Sequence, residues 1–480
     1  MAREKKRKGK RRKGAANDRQ IKVQLTPTVE FVHTYITEAL CNEVFQGVRT
    51  NERQRDWSLY VLARFWIDVI VHAPTSLREL LERKRQGDPQ GLLPAVDASN
   101  ASFFERCKTL SSGFFMGLHA RFIDLIAAKA PQQYCRELAH LRKNFTGVVV
   151  IDGSRLDKVA HRLKILWSEK AAVLPGCLLA VYDLFRGITT QLWFDPDAAA
   201  SEFNRAVTAI ECLAKGTLVL GDRLYCCPAL FRVLNEQDCF GVFKRTKAVS
   251  IKKIRCLKRI RANGMLIEDW IVRAGKGPGA MELRLVVVKS NGKTHEALTN
   301  VLDPNVLSAE DIIALYPKRW RVERMFYDLK VVLNLQSFYA ANPNAVAMQV
   351  YAAAMVHSAF RVSQANIAEK VGLPPEELST EKLFPLLSLA SIKIVEAEFI
   401  FDETRKANRK LKLRKPSWKN LPDTVISLHH IRVQRRSGVR KKRKYDKERR
   451  SWKSFRKIRG AKKLGSPFLS VTDLTHFIGT

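Results

Sequence analysis

An α/β core built on a mixed sheet, set between a helical N-terminal region and a basic C-terminal segment, is the fold class this 480-residue sequence predicts. Three observations predict it. Residues 28–143 carry apolar side chains at spacings of three and four, the helical period. From residue 144 the pattern changes to short apolar, β-branched runs alternating with helical stretches in the order β-β-β-α-β-α-β. The net charge of +37 is concentrated at the ends: residues 1–20 hold ten basic and two acidic residues, residues 405–463 hold 25 and three, and together they supply 30 of the 37 charges.

Taken in order, residues 1–20 are too charged to bury a core and are expected to be disordered in isolation. Residues 21–143 form a helical N-terminal domain through FVHTYITEALCNEVF, WSLYVLARFWIDVIVHA and ASFFERCKTLSSGFFMGLHARFIDLIA, with a Gly-, Pro- and Asp-containing loop at 87–97. Strands follow in NFTGVVVIDGS, LPGCLLAVYDLF and ITTQLWF, then a helix at 198–214, a strand in TLVLGDR, a helix in CPALFRVLNEQ and a strand in FGVFKR. Residues 246–300 read as β throughout, separated by Gly-rich turns, and form a β-rich insertion. The core is thus divided into 144–245 and 301–340. Beyond the Asp303-Pro304 break a helix begins at Ser308, with Asp311 three residues on as a variant of the capping box. A helical C-terminal region at 341–404 leads into the basic segment 405–480.

Two basic ends on a nearly balanced body point to a polyanion. Nucleic acid fits better than an acidic membrane, because MAREKKRKGKRRKG has no large apolar residues opposite its charges. Trp418, Trp452 and Phe455, set among C-terminal Lys and Arg, could stack on bases or anchor that segment to the core. Nine scattered cysteines without a C-x-x-C pair indicate neither a disulfide scaffold nor a zinc ribbon. No signal peptide is read, since no apolar run follows the basic start. The most apolar stretch, 345–360, is interrupted by Gln349 and His357 and reads as a buried helix.

The run YPKRWRVERMFYDLK places Tyr316, Arg319, Glu323 and Lys330 at offsets 0, 3, 7 and 14. On an ideal α-helix these lie within a stripe about 60° wide, at the edge of the apolar stripe. An ordinary amphipathic helix has one apolar face and one polar face, so a line of phenol, guanidinium, carboxylate and ammonium at a buried edge needs partners. Arg319–Glu323 also reads as an i,i+4 surface salt bridge. Two aspartates, Asp152 and Asp222, stand at the ends of apolar strands; Asp152-Gly153 and Gly221-Asp222 also read as turn chemistry. Asp152, Asp222 and Glu323 together are hard oxygen donors suited to two Mg²⁺ ions, with Mn²⁺ able to substitute. Such a pair clamps the attacking and leaving oxygens of a phosphodiester. Arg319, Lys330 and Tyr316 suit the grip on neighbouring phosphates.

These blocks resemble the DDE transposases of bacterial insertion sequences, in the insertion-sequence-four branch with the Y-(2)-R-(3)-E-(6)-K signature. Tyr316, Arg319, Glu323 and Lys330 match that spacing, VVVIDGS the first-aspartate block and LVLGDRLYC the second, including Tyr225; Trp320 and Arg321 also agree. The resemblance covers roughly 145–335. It implies an RNase H-like catalytic core with a β-rich insertion, in which Asp152, Asp222 and Glu323 are the catalytic metal ligands and Tyr316, Arg319 and Lys330 bind DNA. It implies a transposase that binds its terminal inverted repeats as double-stranded DNA, cleaves, and joins 3′-hydroxyl ends to target DNA. The need to synapse two ends leads us to expect a homodimer in the synaptic complex, the N-terminal helices are expected to bind DNA, and the scattered reduced thiols fit a cytoplasmic protein, expected to be nucleoid-associated and bacterial with no membrane association. Ser154 stands where relatives often have Thr. Relatives place an aromatic of the insertion against a flipped base; Trp270, in IEDWIV, fits a packed strand better. Asp328 falls on another helix face and is excluded as a ligand, and His429-His430 read as a surface or DNA-proximal pair. The rival readings are a tyrosine recombinase, which leaves the three carboxylates unemployed, and a catalytically inactive or domesticated DNA-binding protein derived from a transposase.

Overall fold

The computed structural model describes residues 20–23, 26–48, 57–85, 98–156, 176–197, 200–262, 265–290, 292–335, 337–340, 342–387, 389–390 and 424–433. All but Val433 belong to one compact unit, Met1–Arg432. The loop expected at 87–97, Asp157, the aromatic residues of the C-terminal segment and nearly all of both basic ends lie outside the described residues.

A nine-stranded mixed sheet organises the unit, in the order β4-β3-β2-β5-β6-β10-β9-β8-β7. Strands β2 (Gly147–Arg155), β3 (Cys177–Asp183) and β4 (Thr189–Asp195) form an antiparallel meander. Strand β5 (Thr217–Gly221) lies parallel to β2, and β6 (Phe240–Lys244) parallel to β5. The crossovers are α7 (Glu202–Glu211), between β4 and β5, and α8 (Pro228–Glu236), between β5 and β6. This is the β-β-β-α-β-α-β order read from the sequence. The central strands are covered on both faces, which is why VVVI and TLVL are continuous apolar runs rather than alternating ones. Val148 and Val150 pack into one core, Val149 and Ile151 into the other, which also holds Ala206, Leu230 and Tyr225.

The residues of the expected insertion form β7 (Ile251–Ala262), β8 (Met265–Ala274), β9 (Met281–Ser290) and β10 (Lys293–Thr299). They are β-rich, as read, but they continue the central sheet: β10 pairs antiparallel with β6 through Leu298↔Phe243. Arg284 on β9, with a wholly buried side chain, donates to both carboxylate oxygens of Asp269 at 2.8 and 2.7 Å and to the Leu307 carbonyl at the head of the next helical segment. Trp270 lies in β8 with the Lys253 ammonium 4.1 Å from its ring centroid.

On the other face, α11 (Pro343–Val371) is apolar nearly all round and runs buried, as an all-round hydrophobic helix must. It packs against α1 (Thr26–Tyr35), α3 (Leu59–His72), α5 (Asn100–Thr109), α6 (Ser112–Ala127) and β4. One hydrophobic core therefore joins the N-terminal helices to the sheet. Strand β1 (Gln20–Val23) pairs antiparallel with β11 (Thr424–Ser427), a long-range pairing for which four residues at either end give no sequence signal. None of the described helices is long and apolar enough to cross a membrane.

The segment bearing the quartet departs from the expected single α-helix. It comprises α9 (Ala309–Leu315), a 3₁₀ turn at Tyr316–Arg319, α10 (Trp320–Tyr327) and a π-helical turn at Asp328–Val332. Ser308 and Asp311 form the reciprocal cap. Pro317 has no N–H to continue the ladder, which accounts for the tightening there. In the π turn Leu333 N donates to Asp328 O at 2.9 Å, an i→i+5 bond. A uniform 100° wheel therefore does not place Tyr316 and Lys330 correctly relative to α10.

Candidate carboxylate site at the sheet end

Parallel pairing of β2 with β5 aligns Val150 with Leu220, so Asp152 and Asp222, each two residues further on, leave neighbouring strands at the same end of the sheet. Asp152 is not in a turn. β2 continues through Arg155, paired with Cys177 of β3. Both aspartates are half-buried. The Gly153 N–H donates to Asp152 Oδ1 at 3.0 Å, and the Leu224 N–H caps Asp222 Oδ1.

Helix α10 packs on β2 and carries Glu323 towards this end. Arg319 lies between the two carboxylates: Nη1 is 3.3 Å from Asp152 Oδ2, and Nη2 is 2.8 Å from Glu323 Oε1. The i,i+4 pair read from the sequence exists, but its Arg side chain is only 11% exposed and serves Asp152 as well. Arg319 Nε is buried with no hydrogen-bond partner among the described residues. Lys330 Nζ donates to Ser154 Oγ at 2.6 Å and to the Arg155 carbonyl, so it grips the end of β2. Tyr316 lines an open cleft with Asp222 and Arg319, and Trp320, 60% exposed, lies beside the Arg319 guanidinium on the cleft's rim. All six residues singled out in the sequence thus gather at one end of the sheet.

Burial pushes the Asp152 carboxyl up to about 7; Arg319 opposes the shift, and Glu202, Asp222 and Glu323 add to it. Burial would lower the Arg319 guanidinium, but the Glu323 and Asp152 carboxylates outweigh it and hold it above its usual value. Burial also raises the Tyr316 phenol, with Arg319 opposing and Asp222 contributing. The donors are all carboxylate oxygens, the chemistry that hard divalent cations take. Among the described residues no three His, Cys, Asp or Glu side chains are grouped closely enough to form a metal centre as they stand, and the Arg319 guanidinium lies between Asp152 and Glu323.

Asp328 is buried and ion-paired with Arg324 at 3.0 Å, and the imidazole of His357, whose pKa burial lowers, lies 3.7 Å from its other oxygen. His429 and His430 are exposed on a single helical turn, Leu428–Ile431. The sequence reading missed Glu202, whose carboxylate accepts from Tyr225 Oη at 2.5 Å beneath Gly153. A glycine inside an apolar strand is the signal that could have found it, because such a residue often marks a close approach.

Residues 145–358 match the family described as transposase DDE domain. A protein of Sinorhizobium fredii, provisionally named a transposase, is 27% identical over 194 residues, which cover 37% of this chain and 54% of the relative. A Synechocystis protein, provisionally named the transposase of an insertion sequence element, is 28% identical over 102 residues, 20% of this chain and 30% of the relative. The chain therefore spans about half the length of the first curated relative and under a third of the second. Among solved structures, the piggyBac transposase in a synaptic complex with hairpin DNA covers 80% of this chain and 83% of its own, at 11% identity and a TM-score of 0.40.

Proposed function

From the premise that residues 145–358 belong to the family of transposase DDE domains, we propose that this protein is a DNA transposase. In this reading it binds the inverted repeats of its own element, cleaves DNA, and joins the freed 3′-hydroxyl to target DNA. The observation that carries it is the convergence of Asp152, Asp222 and Glu323 with Arg319 and Lys330 at one end of a mixed sheet. The core at 144–245 and 301–340 is read as RNase H-like, with β7–β10 as its insertion. The N-terminal helices and basic ends are assigned to DNA, and synapsis of two ends calls for a homodimer.

Asp152, Asp222 and Glu323 would hold two Mg²⁺ or Mn²⁺ ions. Bound there, such ions would supply Lewis-acid stabilisation of the leaving 3′-oxygen and a more acidic attacking water or hydroxyl. The protein's own residues do the rest. In the free protein Arg319 neutralises Asp152 and Glu323 and keeps the half-buried carboxylates from repelling one another. Its guanidinium fork, which now holds the two carboxylates, is the group that could take a phosphate oxygen of arriving DNA. Lys330 offers a second cation to the backbone, at the cost of its hold on Ser154. Tyr316, with a raised phenol, remains a protonated donor at neutral pH and is not a ready nucleophile.

Cleavage and strand transfer on DNA ends taken from the flanks of the reading frame, with Mg²⁺ present, test the proposal. Asp152→Asn and Glu323→Gln should each abolish both steps, while Tyr316→Phe should keep appreciable activity. Undiminished activity in either carboxylate variant would sink the assignment. Complete loss in Tyr316→Phe with both carboxylate variants active would favour the recombinase reading.

A further inference from the structure

We propose that Glu202 is a positioning residue of this site, buttressing the Asp152 end of β2 from the sheet face opposite Glu323 and raising the site's affinity for divalent cations. The inference rests on the reading of Asp152, Asp222 and Glu323 as a cation site.

Adjacent residues of a strand face opposite sides of the sheet. Asp152 shares its face with Val148 and Val150, on the side of α10; Gly153 shares the other with Val149 and Ile151, on the side of α7 and α8. Glu202 stands in the first turn of α7, behind a Ser201 cap that accepts from Asn204 N. The helix N-terminus favours a carboxylate there. A β-carbon at residue 153 would overlap the Glu202 carboxylate, so only glycine admits it against the strand.

The other oxygen-holding partner is Tyr225, wholly buried, whose hydroxyl donates to Glu202 Oε1. Its ring is seated over Gly221, where a β-carbon would approach the ring to 2.7 Å. Neither glycine beside the two aspartates, in Asp152-Gly153 and Gly221-Asp222, has positive φ; Gly153 makes room for the Glu202 carboxylate, and Gly221 for the packed rings of Tyr225 and Phe243. Burial and the Glu202 carboxylate keep the phenol protonated well above neutrality, so it stays a donor. The pair fixes a negative charge beneath the carboxylates above. A fixed charge so close in a partly buried setting attracts a divalent cation strongly.

The test is calorimetric titration of the full chain with Mn²⁺, without DNA, alongside thermal unfolding. Glu202→Gln should weaken Mn²⁺ binding roughly tenfold, Tyr225→Phe several-fold, and Glu202→Asp should recover part of the loss. Gly153→Ala, which displaces Glu202, should behave like Glu202→Gln. A merely structural role would lower the unfolding temperature and leave the affinity of the folded fraction unchanged. Wild-type affinity in Glu202→Gln, while Asp152→Asn loses Mn²⁺ binding, overturns this proposal and leaves the cation site standing. Wild-type affinity in Asp152→Asn overturns the cation reading itself. Should Glu202→Gln fail to fold, Tyr225→Phe decides, since it keeps the ring over Gly221; unchanged affinity there overturns the proposal.

Discussion

Replacing Asp152 with Asn should change how the stability of the cation-free protein depends on pH. In the folded chain the Asp152 carboxyl is raised from 3.8 to about 7, first by burial and then by the surrounding acids. A raised carboxyl means that the folded state holds a proton which the unfolded state has released. Stability then falls as pH rises from the ordinary value towards the folded one, and the loss levels off above about pH 7. Integrating between pH 5 and pH 8 gives about 2.5 kcal/mol for this one group. The Asp152 side chain is only 16% exposed, so water screens little of that effect. The assay is urea unfolding at a series of pH values with a chelator present. Because other groups titrate in both proteins, the quantity to compare is the difference in slope. Wild type should lose about 2.5 kcal/mol more than Asp152→Asn over that range. Adding Mg²⁺ should flatten the wild-type slope alone, since a cation binds the ionised carboxylate. Parallel slopes in the two proteins would refute the reasoning, because Asp152 would then ionise as freely as a surface acid.

Three further outcomes follow from the same geometry. Arg319→Gln removes the cation that holds Asp152 down, so the pH-dependent loss of stability should move to higher pH in the same urea series; an unmoved midpoint would mean that Arg319 does not serve Asp152. Arg284→Met leaves the buried Asp269 carboxylate unpaired and should cost about 3–5 kcal/mol in urea unfolding, with much of the loss recovered on adding Asp269→Asn; a loss under about 1 kcal/mol would mean that the pair is not desolvated. Affinity for duplex DNA, measured by anisotropy, should fall steeply between about 50 and 200 mM salt, and deleting residues 2–19 should flatten that dependence; equal slopes with and without those residues would remove the tail from the DNA contact.

The elements legible in the sequence are those set by local patterns. Apolar β-branched runs give β2, β5 and β6 in order, because strands covered on both faces need no polar alternation. Ser308 and Asp311 give the helix start, because a cap is a contact over three residues. The resemblance supplies Asp152, Asp222, Tyr316, Arg319, Glu323 and Lys330, and the fold brings them to one end of the sheet. What the tertiary structure decided is the set of relations between distant residues. It shows that Arg319 serves two carboxylates, since Asp152 is 167 residues away. It breaks the Y-R-E-K helix into 3₁₀, α and π turns, which a uniform 100° wheel cannot represent. It joins β7–β10 to the core sheet through β6 and pairs β1 with β11. Above all, it gives Gly153 and Gly221 a meaning. As dipeptides they read as turns, because a glycine's missing side chain matters only in view of what fills its place. Here that is Glu202 at Gly153, and Tyr225 with Phe243 at Gly221, brought from another helix, loop and strand by the packing of the sheet's far face.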